Sequence, residues 1–200
     1  MNSVKRVLRL RSHKSKTSHL LRYSPRHCNF PNNQLLERRK MYSLVFIAAV
    51  LGVVASYPSG APEETCSMFT AGHTGHTASN KPHNFHLSVS PATVAPGTSV
   101  TVTLQGVGAD KFKGFFIQGQ DSRRNPIGKF QGKSVAKTID CSGPGSANSA
   151  THTSANDKTK VTLTWTAPSN FHGTVKFRAV VVQTYEKFWN NIYSNQLTVA

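Results

Sequence analysis

From Phe85 onward, polar and apolar residues take turns along the chain. In Phe85–Ser90 (FHLSVS) and Thr98–Gly106 (TSVTVTLQG) they alternate, so Val100, Val102 and Leu104 share one face and Ser99, Thr101 and Thr103 the other. A period of two marks a half-buried strand, because successive side chains of extended backbone point to opposite sides. Lys160–Thr166 sets Val161, Leu163 and Trp165 against threonines, and Gly173–Tyr185 (GTVKFRAVVVQTY) is a second valine-rich run. Within these stretches Val161–Thr166 and Val175–Thr184 are the candidates for central strands, with Trp165 as a core aromatic. Phe112–Gln120 (FKGFFIQGQ) is aromatic and β-branched, Lys129–Cys141 continues in short extended pieces, and the chain closes on IYSNQLTVA. Pro96-Gly97 and Ser122–Gly128 (SRRNPIG) supply turns. Ser142–Asp157 (SGPGSANSATHTSAND) is small and polar, and reads as a flexible loop without core-forming residues. No window of eleven or more residues carries a helical period. About seven short strands punctuated by Gly and Pro predict an all-β fold, an antiparallel β-sandwich. A closed barrel is the alternative that alternation alone does not exclude.

One stretch breaks this pattern. Leu44–Ala55 is twelve uncharged, mostly aliphatic residues behind Arg38-Arg39-Lys40 and Met41. A bilayer-spanning helix needs about 20 apolar residues, so no transmembrane segment is expected here. A secretory signal peptide needs a basic start, about 7–15 apolar residues and a small-residue cleavage site. Val53-Val54-Ala55 or Val54-Ala55-Ser56 supplies that site. Residues 41–56 are therefore expected to be a signal peptide and the protein to be secreted. Residues 1–40 hold 11 of the 24 Lys and Arg and one of the 8 acidic residues, which is +10 of the formal +16. A nucleic-acid-binding arm and a mitochondrial transit peptide are alternative readings. The expectation is a basic, disordered upstream extension that the mature protein does not carry, with Met41 as the start.

Removing both segments changes the charge of the protein. Residues 57–200 carry +6, so nucleic-acid binding loses its main support. The remaining excess still favours encounters with anionic surfaces. About 145 residues make one ordinary domain. Its two cysteines, Cys66 and Cys141, are an even pair in an oxidising compartment and are expected to form a disulfide rather than two free thiols. Closing a loop of that span stabilises by up to about 4–5 kcal/mol in the chain-entropy model.

Candidate chemistry is sparse. Seven acidic residues in no recognisable constellation, with no nucleophile elbow, zinc-protease helix or phosphate-cradling loop, argue against an enzyme and against a cofactor. His73-x-x-His76 and His83-x-x-His86 have spacings at which imidazoles converge on zinc or copper. No free cysteine or intervening carboxylate joins them, so solvated or turn-bonded histidines are the reading adopted, with no metal. Arg123, Arg124, Lys129 and Lys133 around Phe130 form the candidate ligand site, since Arg presents a planar fork of donors to phosphate and carboxylate. A solvated hairpin tip is the plainer alternative. Tyr185, Phe188 and Trp189 either stack on sugars or close the core, and the core is preferred.

The segments CSMFTAGHTGHT, HLSVSPATVAPGTSVTVTLQG and FKGFFIQGQD, with Val161–Leu197, resemble the Reeler domain. That module opens reelin and spondin-type matrix proteins and stands alone in the secreted insect defence proteins. Its most specific part here is the block from Trp165-Thr166-Ala167-Pro168 to Trp189. Cys66, Met68 and His73 match the family's early cysteine region, and Cys141 matches its partner. The forty N-terminal residues are a departure from the family. The resemblance implies an immunoglobulin-like sandwich as a single domain at 57–200. It also implies a secreted innate-immune protein that binds microbial surface components such as anionic envelope lipids or glycans. The alternative function is an extracellular matrix or adhesion module that binds host glycans or proteins.

Overall fold

The computed structural model describes residues 57–108, 110–143 and 145–200. The readings of 1–40 as an extension and 41–56 as a signal peptide lie outside these residues. The strands in chain order are β1 (Phe85–Ser90), β2 (Thr93–Val94), β3 (Ser99–Gly106), β4 (Gly114–Gln120), β5 (Lys129–Phe130), β6 (Ala136–Ile139), β7 (Ser149–His152), β8 (Lys160–Thr166), β9 (Gly173–Val182), β10 (Phe188–Tyr193) and β11 (Leu197–Val199). They form two sheets. One has the order β1-β3-β8-β5, the other β2-β11-β9-β4-β7-β6 with β10 also on β9. All pairs are antiparallel except β2 with β11, which run parallel and make the second sheet mixed. The all-β sandwich read from the alternation is the observed fold, with both valine-rich strands inside their sheets.

The alternating positions build the core. Val100, Val102, Leu104, Val161, Leu163 and Trp165 face Ile117, Val175, Phe177, Ala179 and Val181 across the sandwich. Trp165 is fully buried, meets Phe177 edge-on with ring centroids 5.2 Å apart, and donates its indole N–H to the Ile127 carbonyl at 3.0 Å. Phe188 and Trp189 are buried and close one end, with the Trp189 indole donating to the Lys81 carbonyl.

Two local departures from the sequence reading matter for the site. Within the loop expected at Ser142–Asp157, Ser149–His152 is a strand, β7, buried at every residue between β4 and β6. Ala150 is small enough for the core, while the Thr151 hydroxyl donates to the Phe115 carbonyl at 2.7 Å and satisfies itself inside the sheet. Secondly, β4 is buried on both faces. Its outer face is covered by residues 57–71, which include one short helix, α1 (Thr65–Met68). Phe69, Phe116, Ile139 and Val180 form a second small core there. This segment is fastened at three points: the Cys66–Cys141 disulfide with Cα atoms 5.4 Å apart, the Ala61 amide on Thr151 Oγ1 at 2.9 Å, and the Tyr57 carbonyl 3.2 Å from His152 Nε2.

Candidate functional site

The turn leaving β4 is organised by Asp121. Its Oδ1 accepts the backbone N–H groups of Arg123 and Asn125, each at 2.8 Å, and its Oδ2 accepts the Asn125 amide at 3.1 Å. Partial burial opposes ionisation of this carboxyl. The bonds from Asn125 and Arg123, with the Arg123 charge, nonetheless hold its pKa below the ordinary carboxylate value. Arg124 takes φ 68°, which swings the chain back toward β5 and leaves both arginine side chains exposed.

The other wall comes from β9, whose alternation turns Thr174, Lys176 and Arg178 outward while Val175, Phe177 and Ala179 enter the core. Between turn and strand lies an open groove of ≈ 530 Å³ lined by Gln120, Arg124, Thr174, Lys176, Tyr193 and Gln196, with Asp121 at its edge. Tyr193 is an exposed aromatic on β10. Arg178, the next outward residue of β9, lies outside the groove and on the covered face. Its guanidinium donates to Asn191 Oδ1 and lies over the Phe69 ring, 3.7 Å from the centroid.

The four basic residues singled out in the sequence are thus divided. Arg123 and Arg124 sit on the Asp121 turn, and Arg124 enters the groove. Lys129 belongs to β5 of the other sheet, opposite Thr166. Its charge acts on Asp140, whose carboxyl is held below the ordinary value chiefly by the Ala147 and Gly145 amides. Lys133 is in the tight turn bridged to Ala136. Lys176, Tyr193 and Gln196 were not singled out. The outward phase of Lys176 was readable from the β9 alternation, but its meeting with Arg124 depends on β4 pairing with β9.

The histidines of the first pair meet on one tyrosine ring, and the second pair is placed elsewhere. His73 stacks on Tyr185 at 4.3 Å and His76 meets the same ring edge-on at 5.3 Å. His83 instead stacks near Phe85, and its Nδ1 accepts the Phe85 N–H at 3.3 Å. Among the described residues no group of three or more His, Cys, Asp or Glu is placed to hold a metal ion. One buried histidine outside both pairs carries structural weight. His152 Nε2–H donates to the Tyr57 carbonyl while Nδ1 accepts the Phe115 N–H at 3.2 Å, so a neutral ring satisfies both. Burial is the main reason its pKa lies below the ordinary histidine value. The backbone bonds oppose that shift, and Lys158 and Lys137 add to it.

Comparison with known proteins decides the family. A family model, the Reeler domain, matches residues 64–200. The chain belongs to the Reeler domain family. The Drosophila melanogaster "Defense protein l(2)34Fc" is 36% identical over 156 residues, covering 74% of this chain and 93% of that protein. The Bos taurus "Ferric-chelate reductase 1" is also 36% identical, over 70% of this chain but only 23% of its own length. In structure, the human F-spondin reeler domain superposes with a TM-score of 0.52 at 22% identity, covering 64% of this chain and 96% of that one. That likeness establishes a Reeler sandwich, and the reductase match spans only a small part of a larger protein.

Proposed function

We propose that this Reeler domain is a secreted innate-immune protein that binds anionic components of microbial surfaces, envelope lipids or glycans. What supports the reading most is coverage. The defence-protein relative matches along nearly its whole length, so this chain resembles that protein entire, whereas it resembles only a portion of the reductase. The groove beside the Asp121 turn supplies suitable chemistry. Arg124 and Lys176 offer charge, Tyr193 a stacking face, and Gln120 and Gln196 hydrogen bonds, beside the paired strands β4 and β9. Exposed charge contacts are worth about 0–1 kcal/mol each. Affinity would therefore come from several such contacts repeated over a surface that presents many copies of the ligand.

The test is binding of the secreted protein to bacteria, fungi and host glycans at low and at physiological salt. Arg124→Asn with Lys176→Ala is the informative double variant, because Asn tolerates the positive φ that Arg124 adopts. It is expected to bind bacteria about tenfold more weakly, with a flatter salt dependence and nearly unchanged thermal stability. Equal binding by the double variant at low salt removes the groove from the reading. Binding to host glycans but to no microbe replaces the reading with a matrix module.

A further inference from the structure

On the covered half of the same sheet, residues 57–72 do not fill the space they roof. A cleft of ≈ 130 Å³ remains, floored by Phe116, Val180 and Val182 and walled by Ala61, Pro62 and Ala71. This is not a slack loop over a surface. The roof is clamped by the Cys66–Cys141 disulfide and by the bonds of Ala61 to Thr151 and of Tyr57 to His152. A cavity of about 150 Å³ engineered in another protein is large enough to take up benzene. By size, this cleft takes one ring or a short alkyl segment.

Charge narrows the chemistry. Among the described residues the lining holds one formal cation, Lys113, and no carboxylate. Two further cations, Lys137 and Lys158, stand close enough to act on the His152 ring in the cleft wall. The Lys113 ammonium pairs with Asp157 at 2.8 Å, but both side chains are about half exposed. Such a pair is worth about 0–1 kcal/mol, so redirecting the ammonium toward a ligand costs little. We infer that the cleft is a binding site for a small carboxylate with a single-ring or short alkyl body, the body on Phe116, Val180 and Val182 and the acid group toward Lys113. The site shares no lining residue with the Arg124–Lys176 groove and stands or falls independently of it.

Titration of isotope-labelled protein with hexanoate, and with hexanol as its uncharged counterpart, tests this by amide chemical shifts. Hexanoate is expected to give saturable shifts at Gly114, Val180 and Val182, with a Kd on the order of 1 mM or tighter, and hexanol to bind at least threefold more weakly. Val182→Phe fills the floor, and Ala155→Phe blocks the mouth from an exposed rim position without touching the sheet. Each should abolish the saturable shifts while leaving the remaining spectrum intact. Lys113→Gln should keep hexanol binding and lose the preference for the acid. The inference is overturned if hexanoate gives no saturable shifts, if the shifts map elsewhere, or if both filling variants bind as wild type does. Equal affinity for acid and alcohol overturns the charge assignment. Shifts at the same residues produced by raising protein concentration alone would make a second copy of the chain the occupant.

Discussion

At Gly128 the backbone adopts φ 72°, and a β-carbon built there would lie 2.0 Å from Trp165 Cζ2 and 2.2 Å from its Cε2. The glycine therefore does two things: it lets the chain turn into β5, and it leaves room for the indole whose N–H reaches the neighbouring Ile127 carbonyl. Gly128→Ala would combine left-handed strain with overpacking against a fully buried ring, a cost of about 2–4 kcal/mol. Urea denaturation of the purified variant measures it, and a loss below about 0.5 kcal/mol would show that the ring shifts aside freely. Trp165 itself was legible as a core residue from its place in an alternating strand. The need for a glycine beside it was not, since SRRNPIG reads equally well as any polar turn.

Elements repeat the lesson with β7. Its sequence, Ser-Ala-Thr-His, lacks the large apolar residues by which strands are recognised. It is nevertheless buried on both sides, because β6 and β4 flank it and residues 57–61 reach across its outer face. Hydrogen bonds replace bulk there: Gln118 Nε2 donates to Ser149 Oγ at 3.0 Å and Thr151 serves both Phe115 and Ala61. A strand that lives on such bonds is visible only once its neighbours are known. The same outer face sets the consequence of the disulfide. Its closure of a 75-residue interval stabilises by up to about 4–5 kcal/mol, and its position ties the 57–71 segment to the end of the Lys129–Cys141 stretch. In the Cys66→Ser, Cys141→Ser double variant, hydrogen exchange at Ala61, Thr65 and Phe69 should accelerate far more than at Val102 or Leu163. Uniform acceleration across both regions would mean that the segment and the sandwich open as one unit.

For the whole molecule, period-two alternation was enough to name an all-β fold, because strands such as β3 and β8 report their own buried face, while the choice of sandwich over barrel rested on strand count and domain size. The groove was only half legible, since Arg124 and Lys176 are brought together by the pairing of β4 with β9 and not by nearness in sequence. Acid sensitivity is likewise a property of the assembled molecule. His152 and His73 both have pKa values below the ordinary one, in each case chiefly through burial, with the Tyr185 backbone opposing the shift at His73. Above pH 7 these rings are neutral whether the chain is folded or not, and they contribute no pH dependence. As pH falls through about 6.5, the unfolded chain takes up protons that the folded chain refuses, so stability decreases, by at most about 1.4 kcal/mol per pH unit per histidine. Asp121 and Asp140 have depressed values and lose their contribution only below about pH 4, which separates the two windows. Protonated His152 also gives up the Nδ1 acceptor for the Phe115 N–H. The Phe115 carbonyl, 3.2 Å from the same atom, offsets this only in part. Melting temperature should therefore fall between pH 7 and pH 5. His152→Gln, whose amide can still donate to Tyr57 and accept from Phe115 without titrating, should show a clearly shallower decline. A variant that loses stability as steeply as wild type over that range would place the acid response elsewhere, and a wild-type protein that gains stability on acidification would contradict the burial of His152 as its cause.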